Sequence, residues 1–141
     1  MQILIVEDDF ISRRLLCRYL ESYGDCDVAV NGHEAVAAVQ SALDSGSHYD
    51  LICLDIMMPG KCGQETLVDI RKLEERKGLQ VGQGAKIIMT SALEDHEVIR
   101  KSFKDAADGY VVKPIVKRKF MDVLKEVGLK VELVGSGADR T

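Results

Sequence analysis

Leu51-Ile-Cys-Leu-Asp55-Ile-Met-Met-Pro59-Gly60 sets an unbroken apolar run before a carboxylate, with a turn signal close behind. Alternation would mark a strand with one wet face. A near-continuous run, Leu51–Leu54, marks a strand covered on both faces, the habit of parallel sheets. Similar short runs occur at Ile3–Val6, Val28–Val30, Lys86–Met89 and Tyr110–Val112. Between them the period lengthens to that of a helix. The predicted stripes are Ile11, Leu15, Tyr19 and Leu20, then Val36, Val39 and Leu43, then Leu67, Ile70 and Leu73, then Ile99 and Phe103, and finally Val116, Phe120, Leu124 and Val127. Five strands alternating with five helices predict a doubly wound α/β fold, a parallel sheet with helices on both faces.

Helix boundaries carry their own signals. Ser91-Ala-Leu-Glu94 fits a capping box, and Asn31-Gly-His-Glu34 a similar start. Gly24, Gly78 and Gly128 follow helical stretches as stop signals. Gly78–Gly84 reads as an extended connection. Beyond the fifth helix, Leu129, Val131 and Leu133 alternate with charged residues, as a small added strand or a docked tail would. The flexible run Gly135–Thr141 ends the chain. The expected organisation is one domain over residues 1–128 and a partly flexible tail over 129–141, with no internal repeat. Met1 stands directly before the first strand, which argues against a preceding domain.

Composition narrows the function. The chain has 141 residues, 46% of them hydrophobic and 30% charged, which describes one globular domain. Nineteen Lys and Arg against 23 Asp and Glu give a net charge of −4, so no basic excess points to nucleic acid or an anionic membrane. No apolar run approaches the roughly 20 residues that span a bilayer, and no signal-peptide pattern opens the chain. Cys17, Cys26, Cys53 and Cys62 form no CxxC and no metal-ligand spacing with His33, His48 or His96. Four reduced thiols in a cytoplasmic protein are expected; a redox role for Cys62, in a loop, is the alternative.

In a doubly wound sheet, sites form past the carboxyl ends of the strands. Glu7-Asp8-Asp9 follows the first strand, Asp55 the third, Thr90-Ser91 the fourth and Lys113-Pro114 the fifth. Each feature alone has a bland reading as a loop cap, a helix cap or a turn. Together they converge on one edge. Clustered carboxylates repel, so one must take a proton or a cation must join them. An all-oxygen acidic site suits Mg²⁺. A carboxylate beside Mg²⁺, an ammonium and a hydroxyl is arranged to attack phosphorus, and the product would be an acyl phosphate on Asp55.

These blocks, Ile3-Leu-Ile-Val-Glu7-Asp8-Asp9, Leu54-Asp55 through Pro59 to Gly63, Met89-Thr90-Ser91-Ala92 and Tyr110-Val-Val-Lys113-Pro114, resemble the bacterial response-regulator receiver domain of the chemotaxis-regulator type. The resemblance covers residues 2 to about 127. It implies a flavodoxin-like five-stranded sheet in the order 2-1-3-4-5 with five helices. It implies that Asp55 accepts a phosphoryl group from a histidine of a sensor kinase or phosphotransfer protein. It further implies Mg²⁺ held by Asp8 and Asp55, by Glu7 through water and by the Met57 carbonyl, with Asp9 a neighbouring candidate. Thr90 and Lys113 would hold the phosphoryl oxygens, and Lys113–Pro114 would be cis. Tyr110 would be the switch aromatic reshaping the face of the fourth helix, fifth strand and fifth helix, where an effector binds; a half-buried aromatic with no switching role is the other reading.

Met57 and Ala92 stand where relatives often carry polar groups that orient hydrolytic water, which predicts slow self-dephosphorylation. The expected function is a stand-alone signalling switch without an output domain. It is not an enzyme beyond its own phosphorylation chemistry, and it takes no nucleic-acid or membrane partner. It acts in a relay or on an effector. The alternative is a small Mg²⁺-dependent phosphohydrolase with an aspartyl-phosphate intermediate, although its Asp-x-Asp after the first strand is missing. A flavin-binding module would need a phosphate loop where this chain is acidic.

Overall fold

The computed structural model describes residues 1–92 and 95–131. Five strands and five helices alternate: β1 (Gln2–Val6), α1 (Phe10–Leu20), β2 (Asp25–Ala29), α2 (Gly32–Asp44), β3 (Leu51–Asp55), α3 (Gly63–Arg76), β4 (Lys86–Ser91), α4 (His96–Lys104), β5 (Gly109–Val112) and α5 (Lys117–Glu126). The sheet is parallel throughout, in the order β2-β1-β3-β4-β5. This is the flavodoxin-like arrangement expected from the sequence.

Alternate residues of the central strands feed two cores. Leu4, Val6, Ile52, Leu54, Ile87 and Met89 pack with Ala35 and Val39 of α2 and Leu67, Ile70 and Leu73 of α3. Ile3, Ile5, Leu51, Cys53 and Ile88 pack on the other face with Leu16 and Leu20 of α1 and Phe120, Met121 and Leu124 of α5. Burial on both faces is why these strands lack polar alternation.

Several local expectations are corrected. β2 begins at Asp25, three residues before the predicted Val28. It is an edge strand, and its first half faces solvent, so charge there is tolerated and helps to blunt the edge. On α1 the predicted stripe is rotated: Ile11 is 71% exposed and Leu15 is exposed, while Leu16 and Leu20 are buried. Val116 caps α5 from outside, and Phe103 is exposed. Ser91 ends β4, and Asp95 caps α4, its side chain accepting from Glu97 N–H at 2.8 Å. Glu94, the other half of the predicted box, lies outside the described residues. The Gly78–Gly84 connection contains a turn, with Gln83 N–H donating to Gln80 C=O at 2.9 Å and Gly82 at φ +87°.

Asn31 does cap α2, accepting from Glu34 N–H at 2.8 Å. Gly78 and Gly128, at φ +85° and +94°, take the left-handed conformation that ends a helix. Leu129 N–H donates to Leu124 C=O at 3.0 Å, and Val131 is buried in the α1/α5 core, so this part of the tail is docked. Leu133 and Gly135–Thr141 lie outside the described residues. Among the described residues no helix is long and apolar enough to cross a membrane.

Candidate functional site

Register builds the site. Val6 pairs with Leu54, Asp55 with Thr90, and Thr90 with Val111, so the carboxyl ends of four strands arrive level. The loop after β3 is tied down on two sides. Ile56 N–H donates to Thr90 C=O at 3.0 Å, and Gly63 N–H, the first of α3, donates to Ile56 C=O at 2.9 Å. That approach leaves no space for a side chain at Gly63, where a Cβ would collide with the Asp55 carbonyl oxygen and Ile56 Cα.

Glu7, Asp8 and Asp55 come together, each offering one carboxylate oxygen within 4.8 Å of the other two. Glu7 and Asp55 are buried, whereas Asp8 is exposed at the mouth. Lys113 Nζ enters between the buried pair, 2.7 Å from Glu7 Oε1 and 3.5 Å from Asp55 Oδ1. Lys113–Pro114 is cis. Met57 N–H donates to Asp55 Oδ1 at 3.3 Å, and the Met57 side chain is 62% exposed. Asp9 stays out of the cluster: it caps α1, its Oδ2 accepting from Ser12 N–H at 2.8 Å.

Electrostatics follow burial. Desolvation, helped by the neighbouring Glu7 charge, pushes the Asp55 carboxyl up to about 7, against the pull of Lys113. For Lys113, burial opposes the charge, but the hydrogen bond to Glu7 and the fields of Asp55 and Glu7 outweigh it and raise its pKa. Three carboxylates and one ammonium leave a formal charge of −3 + 1 = −2 when all are ionised. An all-oxygen donor set with that excess fits a small divalent cation, and Mg²⁺ matches it by hardness. A second sign of an incomplete site is Thr90 Oγ1, which is buried and finds no hydrogen-bond partner among the described residues.

Tyr110 sits one strand over, half-buried and packed on the α2/α3 core. All the residues singled out from the sequence therefore lie at or beside one edge of the sheet. Two more belong with them that the sequence reading did not assign. Gly63 permits the close approach described above. Arg13, on the first turns of α1, donates from Nη1 to Glu7 C=O at 3.0 Å. A glycine between Cys62 and Gln64 hints at such crowding; a side chain reaching back six residues to a loop carbonyl leaves no sequence signal.

The response regulator receiver domain family matches residues 3–125. The chain belongs to this family. It is 34% identical over 127 residues to the chemotaxis protein CheY of Halobacterium salinarum, covering 89% of this chain and 95% of that one. It is 36% identical over 141 residues to the transcriptional regulatory protein ResD of Bacillus subtilis, of whose length it spans half. It spans 7% of the hybrid signal transduction histidine kinase L of Dictyostelium discoideum. Among solved structures it is similar to the receiver domain of the histidine kinase CKI1 from Arabidopsis thaliana complexed with Mg²⁺ and BeF₃⁻ (TM-score 0.77, 27% identity, 89% and 88% of the two chains). It is also similar to a chain of the CheX–CheY–BeF₃⁻–Mg²⁺ complex from Borrelia burgdorferi (TM-score 0.78, 26% identity, 92% and 90%). This receiver domain is thus a module of two-component signalling, a family of regulators rather than conventional enzymes.

Proposed function

We propose that this receiver domain is a phosphorylation-activated switch in which Asp55 is the phosphoacceptor. The observation that carries the reading is the convergence of Glu7, Asp8 and Asp55 on one point, with Lys113 Nζ between the buried pair. A carboxylate oxygen of Asp55 attacks phosphorus of a phosphohistidine on a sensor kinase or phosphotransfer protein. The P–N bond breaks, and the imidazole nitrogen keeps the electron pair and is reprotonated. Lys113 offsets charge on the transferring oxygens, and Thr90 Oγ1, which has no hydrogen-bond partner among the described residues, donates to one of them. Asp8, Asp55 and the Met57 carbonyl, with Glu7 acting through water, would hold Mg²⁺, which when bound would supply charge neutralisation at the phosphoryl oxygens. Two similar solved structures carrying Mg²⁺ and BeF₃⁻ support that choice of ion.

Once Asp55 is modified, Thr90 is drawn toward the new dianion. The space behind it admits the ring of Tyr110, and the α4–β5–α5 face changes for an effector. A coupling of about 1–3 kcal/mol is enough to change partner choice. In this reading residues 1–128 are the switch and 129–141 an appended tail. The proposed place of action is the cytoplasm.

The test is incubation with Mg²⁺ and acetyl phosphate followed by intact-mass analysis. One added phosphoryl group is expected in the parent and none in Asp55→Asn. An unmodified parent, or an equally modified variant, would overturn the assignment.

A further inference from the structure

Every polar atom of Glu7 is held. Its N–H donates to Ala29 C=O at 3.0 Å. Oε1 accepts from Lys113 at 2.7 Å, and Oε2 accepts from Asp9 N–H at 3.1 Å. The remaining atom, the carbonyl oxygen, accepts from Arg13 Nη1 at 3.0 Å. Asp8 is the opposite case. It is exposed, and among the described residues no hydrogen bond reaches its carboxylate. Its side chain is therefore aimed by the backbone alone, and the peptide that joins it to Glu7 is the one whose oxygen Arg13 grips. Rotation of that peptide would swing the Asp8 carboxylate away from Glu7 and Asp55.

Arg13 is itself braced. Its guanidinium lies 5.5 Å from the centroid of the Phe10 ring, and that of Arg14 lies 5.8 Å from the same ring. Phe10 is 57% exposed, so the burial of a core residue does not explain it. As the first residue of α1, it offers a flat platform that holds a planar cation over the acidic loop.

The geometry points to Arg13 as a positioning residue for divalent-cation binding: by holding the Glu7 carbonyl it aims Asp8 at the point shared with Glu7 and Asp55. The inference rests on the cation-binding half of the function proposed above. Its hydrogen bond to the site goes to the Glu7 carbonyl, so it acts through the loop. Lysine in its place could reach the carbonyl but would present a compact ammonium, not a planar guanidinium, to the Phe10 ring.

The test titrates Mg²⁺ alone into metal-free parent, Arg13→Ala, Arg13→Gln and Arg13→Lys by calorimetry. Phosphorylation by acetyl phosphate is followed in parallel over a range of Mg²⁺. Partners that orient metal ligands typically contribute about 10–100-fold in affinity, and a rise of that size in the Mg²⁺ dissociation constant is expected for Ala and Gln, with Lys between them and the parent. The rate at saturating Mg²⁺ should return to within about twofold of the parent, because the reacting groups are untouched. Affinity in Ala or Gln within about twofold of the parent overturns the proposal, as does a rate that saturating Mg²⁺ fails to restore. Should Arg13→Ala not fold, Arg13→Gln carries the comparison. A parent that binds Mg²⁺ but takes no phosphoryl group sinks the phosphorylation reading and leaves Arg13 judged by the affinities; a parent that binds no Mg²⁺ sinks both.

Discussion

Asp55 shows how burial and charge set one carboxyl against its surroundings. Its pKa is raised to about 7, by burial first and by Glu7 second. A carboxyl raised on folding binds a proton that the unfolded chain has released, so stability falls as pH climbs from the unfolded value near 4 through 7. Without metal, Asp55→Asn should unfold at higher urea than the parent at pH 8, by about 1–3 kcal/mol, and the gap should close near pH 4. A constant gap across that range would mean Asp55 is not the strained group. Met57 bears on lifetime. Its exposed thioether neither donates nor accepts a useful hydrogen bond to attacking water, and neither does Ala92. Met57→Asn is therefore expected to shorten the life of the acyl phosphate severalfold, read by loss of the added mass with time; an unchanged decay would remove Met57 from the account.

At the scale of elements, the start of α1 separates two acidic neighbours. Asp9 caps the helix, and its carboxyl is held below the usual range by the Ser12 amide. Asp8 faces the cluster. Asp9→Ala should lower the melting temperature modestly while leaving Mg²⁺ affinity near the parent's, and Asp8→Ala should do the reverse; calorimetric titration beside thermal unfolding decides. The start of α3 makes a sharper demand. Gly63 lies where any Cβ meets the Asp55 carbonyl and Ile56. Gly63→Ala should cost about 1–3 kcal/mol in urea unfolding, since the neighbours are backbone and must shift. Phosphorylation should slow with it, as the displaced segment carries Asp55.

For the molecule as a whole, an excess of negative charge at one sheet edge means that folding holds like charges together. A ligand that binds only the folded form returns stability by mass action, about 2.7 kcal/mol at a hundred times its dissociation constant. Mg²⁺ should raise the parent's melting temperature by several degrees in a concentration-dependent way, EDTA should reverse it, and Asp8→Ala should show little response. Equal shifts in parent and variant would make the effect nonspecific. Cys53 is fully buried, and Cys26 is pushed up to about 11, chiefly by burial, so these thiols stay protonated and inert at neutral pH.

Leu51–Asp55 was legible because a strand covered on both faces has only one composition available to it, and the polar residue that ends it must lie at the sheet's edge. Repeated at Ile3–Val6 and Lys86–Met89, and joined to the shorter runs Val28–Val30 and Tyr110–Val112, that rule sufficed for the layer order, the count of elements and the edge where Glu7, Asp55, Thr90 and Lys113 gather. The rotation of α1 was not legible. Ile11, Leu15, Leu16 and Leu20 are all apolar, and the choice of Leu16 and Leu20 for the core depends on how the helix lies on the sheet. The true start of β2 was hidden for a related reason, since an edge strand takes its backbone partners from β1 whatever its side chains are. Asp9 could be excluded from the cluster, and Arg13 joined to it, only once the chain had folded back on itself. Local sequence determines which residues prefer which element, because periodicity and capping act over a few residues; which carboxylate meets which cation is decided by register and helix placement, which depend on contacts between distant segments.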